Sequence, residues 1–238
     1  MDLQDRTVLV AGGTGEVGEG IVGALLRRHA RVVVPSRSAS KVEQLRDRLG
    51  GGAELVGISG DPSSAGGAAE LAGRVQDIAG GLDAIVVAIG RWASGPELTA
   101  LDDATWRRVL DGGVGVHFAA ARALLPLIAD RSGASYTLIN GSGATSPVAG
   151  SGPSNVSAAA QLMLGRVLAR EHRDRPVRIN TLLLDTPVAT RSREHVKPEW
   201  LTADEAGRYV AWLVSDAAAD VDAQVITFGS RYDLPAGA

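Results

Sequence analysis

Thr7-Val8-Leu9-Val10-Ala11-Gly12-Gly13-Thr14-Gly15-Glu16-Val17-Gly18 is the stretch that decides how this chain folds. Its first five residues are apolar and mostly branched, the signature of a buried strand. Glycines at 12, 15 and 18 follow, and Ile21-Val22-Gly23-Ala24-Leu25-Leu26 then continues as a helix to about His29. Strand, glycine-rich turn and helix together form a cradle for phosphates. Gly12 permits the tight turn, Gly15 removes a side chain from the path of a pyrophosphate, and Gly18 lets the helix pack on the strand. Free N–H groups at the helix start, and its positive end, favour an anion. Gly13, Thr14 and Val17 complete the expected cofactor loop. Glu16 is the discordant member, because a carboxylate repels phosphate; it is expected to point to solvent.

Working outward, strand-like and helix-like segments alternate. Strands are expected at 31–34, 54–58, 84–88, 136–139, 177–184 and 225–228, with helices at 41–49, 64–79, 105–129, 155–172 and 204–215. Gly112, Gly113 and Gly115 weaken the 105–129 helix. Alternation of this kind implies parallel strands joined by right-handed helical crossovers. The strands read as continuous apolar runs, as expected where both faces are covered. No linker or repeat divides the chain. The expected fold class is α/β, with one Rossmann-like doubly wound parallel sheet of about seven strands and helices on both faces, spanning 1–238 as a single domain.

Bulk properties narrow the function. The chain has 238 residues, 45% hydrophobic and 21% charged, with a net charge of −3. That balance gives no reason to expect nucleic acid as a partner. It has no cysteine, which excludes disulfides and thiolate chemistry, and its four histidines (His29, His117, His172, His195) are too scattered for a metal pair. No apolar stretch is long enough to span a bilayer and the first residues do not resemble a signal peptide, so a cytoplasmic protein without a membrane partner is expected.

In a doubly wound sheet, ligands bind beyond the carboxyl ends of the strands. After the second strand stand Ser36, Arg37 and Ser38, with Lys41 a turn later. An acidic residue there would hold the ribose hydroxyls of NAD, whereas arginine suits a 2′-phosphate, so NADP(H) is expected over NAD(H). Asp61 could accept a hydrogen bond from adenine or simply begin a turn. Ala88 and Gly90 allow close passage of the cofactor, and Arg91 and Trp92 could face a substrate. Ser142, after the fifth strand, could donate to a substrate oxygen.

In order and spacing these segments resemble the short-chain dehydrogenase/reductase family. The resemblance rests on the glycine turn, Ser36-Arg37, Asp61, Leu82-Asp83-Ala84-Ile85-Val86, Ala123-Leu124-Leu125-Pro126, Arg178-Ile179-Asn180-Thr181 and Pro187-Val188-Ala189-Thr190. It implies reduction of a carbonyl by a serine, a tyrosine and a lysine, with an asparagine from a long helix. Ser142 matches the serine. Ser154 stands where the tyrosine is expected, Ala158 where the lysine is expected, and Gly112 or Gly113 near the asparagine position. The chain has no Tyr-x-x-x-Lys, and 132–172 has no lysine. Val87-Ala88-Ile89-Gly90 replaces the family's Asn-Asn-Ala-Gly, and Leu184-Asp185 its Pro-Gly, with Thr186 extra.

A serine hydroxyl is too weak an acid to replace a tuned tyrosine. The remaining candidates for catalysis are Ser142, Ser154 and Asp185, the last expected to face the cavity. His117, one turn past the asparagine position, is more naturally a packed histidine, and Asn155 and Ser157 could add polarity. Three functions stay open: an oxidoreductase on a small organic carbonyl or alkene with a rearranged site, a catalytically silent NADP(H)-binding relative, and a non-redox enzyme on the same fold. The resemblance also implies a homodimer or homotetramer through two long alanine-rich helices.

Overall fold

The computed structural model describes residues 2–62, 64–77, 81–90 and 92–238. Strand β1 (Thr7–Ala11) runs into helix α1 (Glu16–Leu26). Then follow β2 (Arg31–Ser36), α2 (Ala39–Leu49), β3 (Leu55–Ser59), α3 (Ala65–Gln76) and β4 (Ala84–Val87). The second half comprises α4 (Asp103–Leu110), α5 (Val116–Leu124), β5 (Ser135–Gly141), α6 (Gly152–Glu171) and β6 (Arg178–Leu184). It closes with β7 (Val188–Ala189), β8 (Leu201–Thr202), α7 (Ala203–Val214) and β9 (Val225–Phe228).

Seven strands form one parallel sheet in the order β3-β2-β1-β4-β5-β6-β9. The order reverses between β1 and β4, which opens a crevice at their carboxyl ends. Period-two alternation sends neighbouring residues to opposite layers. Val8 and Val10 join the layer of α1 and α7 with Ile21, Leu25, Tyr209 and Phe228. Leu9 and Ala11 join the layer of α3 and α5 with Leu71, Ala120 and Leu124. β7 and β8 form a separate two-residue parallel ladder.

The helix expected at 105–129 is interrupted. α4 and α5 are separated by a π-helical turn over Asp111–Gly115, where the three glycines lie, and Leu125–Leu127 tightens into 3₁₀ geometry. The displaced Val114 N–H is taken up by Ser157 Oγ at 2.9 Å, so Ser157 stabilises the bulge from α6. The helix expected at 64–79 reaches Gln76; residues 78–80 lie outside the described residues. Among the described residues, no helix is long and apolar enough to cross a membrane.

α1 and α7 cross at backbone contact. A Cβ on Gly207 would lie 2.3 Å from the Gly20 carbonyl oxygen, and one on Gly20 would lie 2.2 Å from that of Ala203. This packing fixes the start of α1. Gly207→Ala is therefore expected to cost about 1–3 kcal/mol through overpacking. In a thermal melt, that is a fall of several degrees, at about 2–4 °C per kcal/mol for a domain of this size. An unchanged melting temperature would show that the helices separate freely.

Candidate active site

The floor of the crevice is built from glycine. Gly12 has φ of 91°, and a Cβ there would lie 2.4 Å from the Ala88 carbonyl oxygen; a Cβ on Gly18 would lie 2.1 Å from that of Gly12. The loop therefore runs backbone against backbone between the ends of β1 and β4. Gly15 caps α1 with no side-chain hydrogen bond, which leaves the first N–H groups of the helix available to an anion. Such a helix start can receive an anion such as a pyrophosphate.

Glu16 departs from its expected place. It is half-buried rather than turned to solvent, and Ser192 Oγ donates to its Oε2 at 2.7 Å. Hydrogen bonding from Thr190 and Ser192, aided by the charge of Arg191, holds its carboxyl below the usual range. One turn on, Glu19 pairs with Arg48 at 2.9 Å and with Arg191 at 3.6 Å. The first turn of α1 thus holds the segment after β7, a contact 176 residues apart in sequence.

At the end of β2, Ser36 Oγ accepts from Ser38 N–H and donates to the Ser38 carbonyl, a local turn that presents Arg37 outward. Arg37 is 73% exposed on its side chain and lies 3.8 Å from Asp61 Oδ2. Two expected cofactor contacts therefore sit side by side beyond β2 and β3.

A cavity of about 490 Å³ opens from this crevice, within the usual size for a small-molecule site. Val17, Ala88, Gly90, Trp92, Ser142 and Gly143 are among the residues that line it. Among the described residues Ser142 Oγ has no hydrogen-bond partner, so it is available to a ligand. Arg91, expected near the substrate, lies outside the described residues.

Ser154 also lines the cavity, but its hydroxyl is engaged twice with Ala93. It accepts from the N–H and donates to the carbonyl, both at 3.0 Å. Gly95 N–H donates to Gly150 at 2.7 Å nearby, so the segment after β4 is stitched to the start of α6. Asn155 donates to the Val148 carbonyl at 3.0 Å, and its buried Oδ1 has no partner among the described residues. Asp185 does not face the cavity as expected. It is exposed and packs beside Gly229, past the end of β9, while Leu184 before it and Thr186 after it line the cavity.

Sequence reading missed Gln161, Thr186 and Arg193 as wall residues. Gln161 stands seven residues after Ser154, two helical turns along the same face, a periodicity visible in the sequence. Arg193 follows the sixth sheet strand but only after a long excursion, which no local signal predicts.

His117 is fully buried and lies 2.7 Å from the Ile89 carbonyl through Nε2. It therefore holds the chain between Ala88 and Gly90, a structural role in the crevice. Burial lowers its pKa, opposed in part by the bond to Ile89. The unfolded chain then binds the proton more readily than the native one, so this residue's contribution falls on acidification through about pH 6.5 and is retained above it. His117→Gln keeps a donor for Ile89 without a titrating ring. Wild type is expected to lose more melting temperature than this variant between about pH 7.5 and about pH 5.5. Equal losses would mean that His117 takes its proton without penalty.

Comparison with known proteins agrees with this geometry. A sequence model of the family described as "Enoyl-(Acyl carrier protein) reductase" matches residues 13–229. Dehydrogenase/reductase SDR family member 4 of Pongo abelii is 31% identical over 186 residues, covering 76% of this chain and 65% of its own length. The chain thus spans just under two thirds of that relative. A short-chain type dehydrogenase/reductase from Mycobacterium ulcerans superposes with a TM-score of 0.87 at 24% identity, covering 97% of this chain and 91% of that one. A Pseudomonas aeruginosa short chain oxidoreductase, described as containing an atypical catalytic center, gives 0.84 at 21% identity, with 96% and 97% covered. Other proteins of this fold were solved with NADP or NADPH. With the cradle, the parallel sheet and a match over most of its length, the chain belongs to the short-chain dehydrogenase/reductase family, whose members bind a nicotinamide cofactor.

Proposed function

We propose that this protein is an NADP(H)-dependent oxidoreductase acting on a small organic carbonyl or activated alkene through a rearranged site. The observation that carries the reading is the cavity itself. It joins the edge of the phosphate cradle at Val17, Ala88 and Gly90 to the unpartnered hydroxyl of Ser142. The guanidinium of Arg37, exposed beyond the end of β2, supports NADP(H), since a planar fork of donors suits a 2′-phosphate.

The rearrangement concerns proton transfer. No tyrosine or lysine stands among the described wall residues. Ser154 is occupied by Ala93, and Ala158 offers no charge. When bound, the cofactor supplies the hydride. Ser142 donates a hydrogen bond to the substrate oxygen and orients it, and the proton that completes reduction comes from solvent. Such a site forgoes roughly 10²–10⁴-fold of general acid catalysis, so slow turnover or an intrinsically reactive substrate is expected. The engagement of Ser154 also favours a second reading, a silent relative that binds NADP(H) and does not turn over.

Phe118 on α5 is exposed, and exposed Val156, Met163 and Val167, at helical spacing, give α6 an apolar face. We assign it to a homodimer or homotetramer, and we place the protein in the cytoplasm with no nucleic-acid or membrane partner.

NADPH oxidation, followed with a panel of aldehydes, ketones and activated alkenes, tests the activity. Turnover that falls at least about tenfold in Ser142→Ala, roughly the worth of one hydrogen bond, supports the rearranged site; NADPH binding without turnover on any substrate selects the silent relative. For the cofactor, Arg37→Asp is expected to lower the NADPH-to-NADH affinity ratio at least about tenfold in calorimetry, since it replaces an attractive charge with a repulsive one. An unchanged ratio would remove Arg37 from the site.

A further inference from the structure

We propose that Arg193 is the anchor for an anionic substrate, so that this site takes small organic acids: molecules with an apolar body, a reducible group and a carboxylate. The inference rests on the oxidoreductase reading above and deepens it. Arg193 is the one charged side chain among the described residues of the cavity wall. The rest of the described wall is uncharged: apolar side chains such as Trp92, Val109, Val148 and Val188 stand beside polar ones such as Ser142 and Gln161. Among the described residues, no carboxylate pairs with it. That is unusual in this part of the molecule, where Arg191 reaches Glu19, Arg231 reaches Glu205 and Arg48 reaches Glu19.

The surrounding chain holds Arg193 in place. The excursion that carries it is fixed at its roots by pairing of Val188 with Leu201 and by Leu201 N–H donating to Thr186 Oγ1 at 3.0 Å. Its middle is held by Ser192 on Glu16, and by Arg231 on the Pro198 carbonyl at 3.1 Å. Arg193 N–H closes a turn on the Thr190 carbonyl at 3.1 Å. Arg191 and Ser192 thus spend their side chains on the carboxylates of α1, and Arg193 is left for the cavity. Its guanidinium lies over the Trp200 ring, 5.3 Å from the centroid. That contact orients the cation without neutralising it. A planar fork of donors, beside a cavity with no other charge among the described residues, suits bidentate capture of a carboxylate. Ser142 would then receive the reducible oxygen of the same molecule.

The test uses benzoate and its neutral counterpart benzamide as probes, titrated by calorimetry into the full chain saturated with NADPH and, separately, into the chain alone. NADPH binding is measured independently for every variant. Benzoate is expected to bind wild type at least about tenfold more tightly than benzamide. Arg193→Gln should erase that preference, with benzamide and NADPH affinities held within about twofold. Arg193→Lys should retain part of it, since a point charge remains without the fork. Arg175→Gln, which removes a charge of the same sign that pairs with Asp130 away from the cavity wall, should leave it intact. Absent or undiscriminated benzoate binding overturns the proposal. So does an Arg193→Gln variant that loses NADPH and keeps the benzoate preference, because the arginine would then serve the cofactor's phosphates. Failure of NADPH to bind any variant would sink the cofactor reading alone, since the probe comparison in the chain without nucleotide still reads the anion site.

Discussion

The first turn of α1 must lie against the carboxyl ends of β1 and β4, and only residues without side chains permit that approach. A Cβ at Gly18 would overlap the Gly12 carbonyl, and one at Gly12 would overlap that of Ala88. This constraint places the helix's unpaired N–H groups at the point where the strand order reverses. It also fixes Glu16, the first residue of the helix, and through it the segment that borders the cavity. Cradle and cavity wall are therefore one mechanical unit, joined by the Ser192–Glu16 hydrogen bond.

That hydrogen bond changes the electrostatics of the cradle. A carboxylate at a helix start is favoured by the dipole, and Glu16 gains further from Thr190, Ser192 and Arg191. It meets these demands sideways, toward the 190–192 segment, and the N–H groups of the turn stay open. An anion arriving at α1 meets a carboxylate whose charge is already partly compensated. On the cavity side, Ser154 acts as a structural staple. Ser154 spends both its donor and its acceptor capacity on Ala93, and Trp92, immediately before, reaches Gly143 beside Ser142.

Much of this was legible in the sequence, for physical reasons. Sheet strands are short apolar runs between turn signals, so each was found near its place, and Val225–Phe228 was found without error. The glycines at 112, 113 and 115 signalled a weak helix, and there the π-turn lies. Strand-end logic found Ala88, Gly90, Trp92 and Ser142, which share one cavity. The contacts that sequence reading missed are non-local. Glu16 was expected in solvent because nothing near residue 16 announces a serine at 192. Asp185 was expected in the cavity because it follows a strand, but it packs beside Gly229 of the distant β9 end while Leu184 and Thr186 on either side line the wall, and β7 and β8, two residues each, are too short to signal the path that follows. Arg193 belongs to the same blind spot.

The central claim is that the loop from Gly12 to Gly18, with α1 behind it, grips the paired phosphates of a nicotinamide dinucleotide. Calorimetric titration of the purified chain with NADPH tests it most directly. Saturable heat at a stoichiometry of about one nucleotide per chain, at micromolar affinity of about −8 kcal/mol, is the predicted result. No heat with either NADPH or NADH would contradict it.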